Sequence, residues 1–267
     1  MIWVLTKKEV VMTITNYELA ILFDRAVELL EQYEPKEGYY LAFSGGKDSI
    51  VLLDIVKCSG VKYDAHFNFT SLDPRSVLDC IKDNYQEVEW HYPKETMYQL
   101  VERKGILPTG KTRYCCQYLK ERGGIGRICL TGIRAAESAK RSKRNQFEHS
   151  SRYPSKRYLH LLFNWSEEQI WAYIRARKLA YPSMYDEGYK RVGCILCPLK
   201  SAKERQKDAE RFPRHKKAFV QVLDRVLEKK PSQYFATGED YFNWWISGLS
   251  AEKYMSQTKD DITGVIL

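Results

Sequence analysis

Two groups of residues in this chain have the types and spacing to do chemistry. The first is Ser44-Gly45-Gly46-Lys47-Asp48-Ser49, which follows directly on the apolar run Tyr39-Tyr40-Leu41-Ala42-Phe43. Glycines after a strand let the backbone approach an anion closely. A helix opening immediately afterwards presents unpaired N–H groups and the positive end of its dipole. Ser44, Lys47 and Ser49 add two hydroxyls and an ammonium, so the segment is a candidate phosphate cradle. Its spacing matches neither GxxxxGK[ST] nor GxGxxG, and the competing reading is an ordinary tight turn.

The second group is four cysteines in two pairs. Cys115 and Cys116 are adjacent, and Cys194 and Cys197 form CILCP. Four soft thiolates suit zinc or an iron–sulfur cluster. Adjacent cysteines chelate a single tetrahedral ion awkwardly, whereas on a cluster they can reach different iron atoms. This favours 4Fe–4S over zinc, with zinc and metal-free buried thiols as the remaining readings. Cys58, Cys80 and Cys129 read as small buried hydrophobes. Cys129 is the one placed to face a ligand crevice, just before Thr131-Gly132 at the end of a strand.

The elements that must carry these groups follow from periodicity. Leu19, Leu22, Phe23, Ala26, Leu29 and Leu30 share one helical face, predicting a helix over 17–33 that Pro35 and Gly38 end. Residues 39–43 read as a buried strand, and after the glycine turn Ile50, Val51, Leu52, Ile55 and Val56 read as a helix that stops near Ser59-Gly60. Alternation over 61–69 predicts a second strand. Helices are expected over 74–84 and 94–104, a third strand at 88–91, a fourth at 127–133 and a fifth at 158–163. Ser166 with Gln169 makes a capping box. Strands separated by helices imply an α/β fold with a doubly wound parallel sheet. Charged helical segments beyond Pro182 read as a helical appendage. The expected organisation is an N-terminal helical segment (1–36), a nucleotide-binding domain (37–180) and a C-terminal helical region (181–267) carrying the CxxC.

Composition narrows the setting. The chain has 267 residues, 44% hydrophobic and 29% charged, which is the profile of a globular protein. No apolar run approaches the roughly 20 residues needed to cross a bilayer. The opening MIWVLTKKEVV does not read as a secretory signal, so a cytoplasmic location with reduced cysteines is expected. The net charge is +9, and residues 132–157 hold eight basic and two acidic side chains. Such a stretch suits an anionic nucleotide or a nucleic acid, and the aromatic run Tyr241-Phe242-Asn243-Trp244-Trp245 would suit the latter.

Together these motifs resemble a known family. SGGKDS is similar to the PP-loop of the ATP pyrophosphatases. SGGKDS at 44–49, TRYCC at 112–116, TGIRAAESAKR at 131–141, NWSEEQIWAYI at 164–174 and GCILCPL at 193–199 resemble, in the same order, the phosphoadenosine phosphosulfate (PAPS) reductase family. The double CC with CxxC is similar to the 4Fe–4S adenylyl-sulfate reductases and to the DndC-type proteins of DNA phosphorothioation. The resemblance implies a Rossmann-like sheet, an adenine nucleotide (ATP, adenylyl sulfate or PAPS) and a 4Fe–4S cluster on Cys115, Cys116, Cys194 and Cys197. By position, Ser44, Gly45, Gly46, Lys47, Asp48 and Ser49 would hold phosphate or sulfate. Gly132 and Arg134 would line the opposite wall, with Arg141 and Arg144 as further anion contacts.

Two departures bear on the reaction. Sulfonucleotide reductases end in a tail cysteine that attacks sulfur, yet the seventy residues after Cys197 contain none. Phe69-Thr70-Ser71-Leu72-Asp73-Pro74 also stands where many members carry a DTG-like turn. The expected function is therefore ATP-dependent, pyrophosphate-releasing sulfur transfer or modification of tRNA or DNA. Lys47, Asp48 and Arg134 would be catalytic, Mg²⁺ would bridge nucleotide oxygens, and a protein sulfur donor is a possible partner. The alternatives are a sulfonucleotide reductase, or a nucleotide- or nucleic-acid-binding subunit without turnover.

Overall fold

The computed structural model describes residues 17–263, with side chains through residue 257. Residues 1–16, the opening MIWVLTKKEVV among them, lie outside the described residues. The elements in chain order are α1 (Tyr17–Tyr33), β1 (Tyr39–Phe43), α2 (Lys47–Ser59), β2 (Tyr63–Asn68), α3 (Arg75–Asn84), β3 (Glu89–His91), α4 (Met97–Lys104) and α5 (Tyr114–Leu119). They continue with β4 (Ile128–Thr131), α6 (Ala139–Ser142), β5 (Phe147–His149), β6 (Arg157–His160), α7 (Glu167–Arg177), α8 (Ala202–Arg211), α9 (Pro213–Lys229), α10 (Gly238–Ser247) and α11 (Ala251–Thr263). No described helix is long and apolar enough to cross a membrane.

The chain forms two compact units, each assembled from separate stretches. The sheet unit comprises the described residues through Asn68, together with Arg75–His91 and Arg122–Val192. Its six strands lie in the order β3-β2-β1-β4-β6-β5. All pairs are parallel except β5 with β6. The strand order reverses between β1 and β4, and in open α/β sheets a ligand crevice opens at such a switch point, beyond the carboxyl ends of the strands. The glycine loop leaves β1 and Gly132 leaves β4, so both ends of the motif fall there.

Local chemistry explains these elements. α1 buries Leu19, Phe23, Ala26, Val27 and Leu30 on one stripe. The Ser166–Gln169 box starts α7 as the sequence predicts: the Ser166 N–H donates to Gln169 Oε1 at 2.7 Å, and the Gln169 N–H to Ser166 Oγ at 3.2 Å. Asp54 of α2 accepts from Tyr173 and from Arg177 of α7, each at 2.9 Å.

One expectation is revised. The fifth expected strand ends at His160, and a turn closed by the Phe163 N–H on the His160 carbonyl at 3.1 Å follows it. The short antiparallel β5 gave no sequence signal, being three residues inside the basic stretch.

The helical unit comprises Phe69–Pro74, Tyr92–Glu121 and the chain from Gly193 onward. Its core includes Leu100, Tyr114, Leu196, Phe219, Phe242 and Trp245. The aromatic run in α10 therefore enters the core through Phe242 and Trp245, with Tyr241 and Trp244 half-buried against it. Phe242 is fully buried, and the Trp245 indole N–H donates to the Pro108 carbonyl at 2.6 Å.

Candidate functional site

The loop after β1 is held in shape by its own hydroxyls. Ser49 Oγ donates to the Gly46 carbonyl at 2.9 Å, and the Ser44 N–H donates to Ser49 Oγ at 3.2 Å. Gly45 has φ +70°, and a Cβ there would stand 2.8 Å from Ile81 and Val77, so only glycine fits. Across the crevice, a Cβ on Gly132 would stand 3.0 Å from the Asp48 backbone carbonyl. Gly132 thus lets the end of β4 lie directly against the first turn of α2.

Two cations converge on this turn. Lys47 is 4% exposed, with Nζ 3.3 Å from the Lys190 carbonyl, 3.5 Å from Asp48 Oδ2 and 3.8 Å from Glu167 Oε1. Arg134 is buried; its Nε donates to Asp48 Oδ1 at 2.6 Å and its Nη1 to the Trp165 carbonyl at 3.3 Å. Asp48 is thus gripped on both oxygens by the residues with which the sequence groups it. The Lys47 N–H, in the first turn of α2, donates to the Tyr185 hydroxyl at 3.0 Å. Burial pushes the Tyr185 phenol up to about 12, so the hydroxyl stays neutral.

A wider cationic field surrounds the loop. Burial, then the charge of Arg191, brings Arg141 down to about 10, with Arg144 and Arg134 adding to the effect. An incoming anion relieves that repulsion. Arg141 also pairs with Glu137, and Arg144 donates to Glu148 at 2.8 Å. Lys156 is buried against the Gly123 carbonyl at 2.5 Å. At least four of the eight basic residues in 132–157 are thus engaged inside the sheet unit. Tyr185, Lys190 and Arg191 were missed in the sequence; the basic pair just before GCILCP was the available signal for the last two, and Tyr185 had none.

His160, at the end of β6, is fully buried, and burial followed by the Arg144 charge pushes it down to about 4 from 6.5. Its Nδ1 lies 2.6 Å from Thr131 Oγ1. The unfolded chain therefore binds one more proton than the folded chain between those values, so this contribution to stability is complete above pH 6.5 and is lost as the pH falls toward 4. Its full size is roughly 3 kcal/mol. Melting curves of wild type and His160→Gln should converge in this window as the pH falls; parallel curves would contradict the assignment.

In the helical unit, Cys115 and Cys116 sit in the first turn of α5. Cys194 and Cys197 flank a turn in which Leu196 takes a positive φ of 57°. Thr70 Oγ1 lies 3.5 Å from Cys194 Sγ, and the Ile195 N–H donates to the Leu72 carbonyl at 2.7 Å. A hydrogen bond from Cys115 draws Cys116 down toward thiolate, and the charges of Lys120 and Arg113 reinforce it. Lys120 is half-buried, and its loss of solvent works against its charge, but Cys194, Asp73 and Cys116 more than offset this and raise its pKa. All four sulfurs predicted as ligands thus belong to one unit. Among the described residues, no three of them offer ligand atoms within 4.8 Å of one another. A tetrahedral zinc would want its sulfurs about 3.8 Å apart, from Zn–S of about 2.3 Å.

The sheet and its glycine loop define a mostly parallel α/β protein, and solved structures share its fold. A PAPS reductase from Candida auris superposes with a TM-score of 0.50 at 21% identity, over 67% of this chain and 95% of that one. A Candida glabrata FMN adenylyltransferase gives 0.51 at 13% identity, over 76% and 79%. The family model of the phosphoadenosine phosphosulfate reductase domain matches residues 38–200, and the chain belongs to that family. An uncharacterized protein of Methanocaldococcus jannaschii is 30% identical over 212 residues, 73% of this chain; this chain spans only 43% of that relative's length. The adenosine 5'-phosphosulfate reductase of Staphylococcus epidermidis is 29% identical over 182 residues, 62% of this chain and 72% of the reductase.

Proposed function

We propose that this chain is an adenine-nucleotide enzyme that activates its substrate with ATP at the PP-loop, carries a 4Fe–4S cluster, and passes the activated group to a sulfur nucleophile from outside the chain. One observation supports the reading: the glycine loop opens onto the first turn of α2 with the Lys47 ammonium beside it, while the three thiols outside the four-cysteine group are all buried. Burial pushes Cys58, Cys80 and Cys129 each up to about 11.

In this reading Gly45 and Gly46 let the backbone meet phosphate, Ser44 and Ser49 shape the loop, and Lys47 takes the charge that develops as pyrophosphate leaves. An acceptor oxygen attacks the α-phosphorus, the bond to pyrophosphate breaks, and the sulfur nucleophile then displaces AMP. Arg134 and Gly132 position Asp48 and the first turn of α2. Mg²⁺ would ride on the nucleotide oxygens, since both Asp48 oxygens are engaged. The test is pyrophosphate release from ATP by anaerobically prepared protein, screened against tRNA, DNA and small acceptors. Tight ATP binding without release for any acceptor would favour a binding subunit.

The cysteine group suits a cluster by its chemistry: four soft donors, one already drawn toward thiolate, beside the cations Lys120 and Arg113. Cys115, Cys116, Cys194 and Cys197 would hold it, and it would supply a redox-capable centre. Anaerobic protein should be brown with about four irons per chain. Serine at any of these four positions should remove most of the iron, whereas Cys58→Ser should keep it. Stoichiometric zinc without iron would overturn the cluster. The reductase activity of the relatives supports a second reading, sulfonucleotide reduction.

A further inference from the structure

A third group of ligating side chains lies in the sheet unit and has no part in the reading above. β2 and β3 pair in parallel with His66 opposite Glu89 and Asn68 opposite His91. The period of two puts His66, Glu89 and His91 on one face of the sheet. Their ligand atoms lie within 4.8 Å of one another. His66 Nδ1 is 2.7 Å from His91 Nε2 and 3.4 Å from Glu89 Oε2, and His91 Nε2 is 3.8 Å from Glu89 Oε1.

What lies behind His66 distinguishes this group from a chance cluster. His66 is 7% exposed, and its ring stacks on Tyr40 with centroids 4.1 Å apart and planes 9° from parallel. Its Nε2 bonds Asp64, and Asp64 in turn accepts from Arg127 Nη1 at 2.6 Å. An N–H at Nε2 donating to that carboxylate would leave the Nδ1 lone pair facing His91 and Glu89. A carboxylate behind a histidine in this way fixes the tautomer and orientation of a metal-bound ring.

We propose that His66 Nδ1, His91 Nε2 and Glu89 form a binding site for a first-row divalent transition-metal ion, with Zn²⁺ as the type case. Two imidazoles and one carboxylate are the donor set such ions prefer, and hard cations such as Mg²⁺ are poorly served by it. The His66–His91 separation matches a hydrogen bond in which one nitrogen carries a proton. Metal binding asks His91 to hold its proton on Nδ1 and its ring to withdraw until the nitrogens stand about 3.3 Å apart, as Zn–N bonds of 2.0–2.1 Å require. His91 is 39% exposed and has the freedom to make that shift, while His66 stays fixed. Solvent would complete the coordination beside Glu89. The ion would tie the three-residue edge strand β3 to β2.

The test is a Co²⁺ titration of the full chain followed by absorption. The expected result is one Co²⁺ giving visible d–d bands without a sulfur-to-cobalt charge-transfer band, and displaced by Zn²⁺. That spectrum separates this site from the cysteines, where thiolate ligation would add the sulfur band. His91→Ala, at a half-buried position, and Glu89→Gln, at an exposed one, should each weaken binding at least tenfold. Asp64→Asn should weaken it about tenfold to a hundredfold. Circular dichroism checks the fold of each variant. Sulfur-type spectra alone, no cobalt binding by folded wild type, or unchanged binding in folded His91→Ala and Glu89→Gln would overturn the site.

Discussion

Lys47→Ala is expected to weaken ATP binding by about tenfold to more than a hundredfold, the worth of a charge-assisted contact of roughly 1.5–3 kcal/mol. The ammonium is held at the first turn of α2 by the Lys190 carbonyl, and among the described residues its nearest carboxylate is that of Asp48, at 3.5 Å. A phosphate would therefore be its strongest partner. Gly46→Val serves as the companion variant. A Cβ at residue 46 has ordinary room, its nearest neighbours being Tyr185 Oη at 3.4 Å, Ser44 Oγ at 3.5 Å and Val192 Cγ2 at 3.6 Å. The added methyls then crowd the face that phosphate must approach. Isothermal titration with ATP, adenylyl sulfate and PAPS measures both variants. Unchanged affinity for all three nucleotides in both would place the nucleotide elsewhere.

The second large effect is an absence of turnover: cluster-replete protein should produce no sulfite from PAPS or adenylyl sulfate with thioredoxin at an enzymatic rate. That reaction needs a mobile thiolate that attacks the sulfate sulfur and then reaches the reductant. Cys58 and Cys80 lie within α2 and α3, and Cys129 is 1% exposed in β4, its Sγ 3.4 Å from the Gly124 carbonyl. With a thiol near 11, Cys129 is thiolate to only about one part in a thousand at pH 8. Robust turnover that disappears in Cys129→Ser would name that residue as nucleophile and displace the ATP-dependent reading.

Much of this was legible in the sequence because the signals were local. The periodicity of α1, the β1–loop–α2 succession and the Ser166 box each depend on neighbours within a few residues, and the structure bears them out. What was hidden depends on pairing across long separations. Arg134 reads as an anion contact from its motif, but nothing local shows that its Nε also bonds Asp48 and its Nη1 the Trp165 carbonyl. Tyr185 reaches the Lys47 N–H from 138 residues away, and nothing in SMY announces it. The aromatic run of α10 carries no mark that tells a buried core from an exposed platform. The His66–Glu89–His91 face appears only once the register of β2 and β3 is known.

The interleaving of the two units has a consequence for biosynthesis. The four cysteines belong to one unit, but the two pairs are separated by Arg122–Val192, which belongs to the other. A ribosome adding about 5–20 residues per second needs roughly 4–16 s to travel the 80 or so residues from Cys116 to Cys197. During that interval Cys115 and Cys116 emerge as a vicinal dithiol without their partners. Any group that requires all four sulfurs must arrive after Cys197 is made. A nascent chain stalled before Gly193 should therefore be the form most easily oxidised at Cys115 and Cys116.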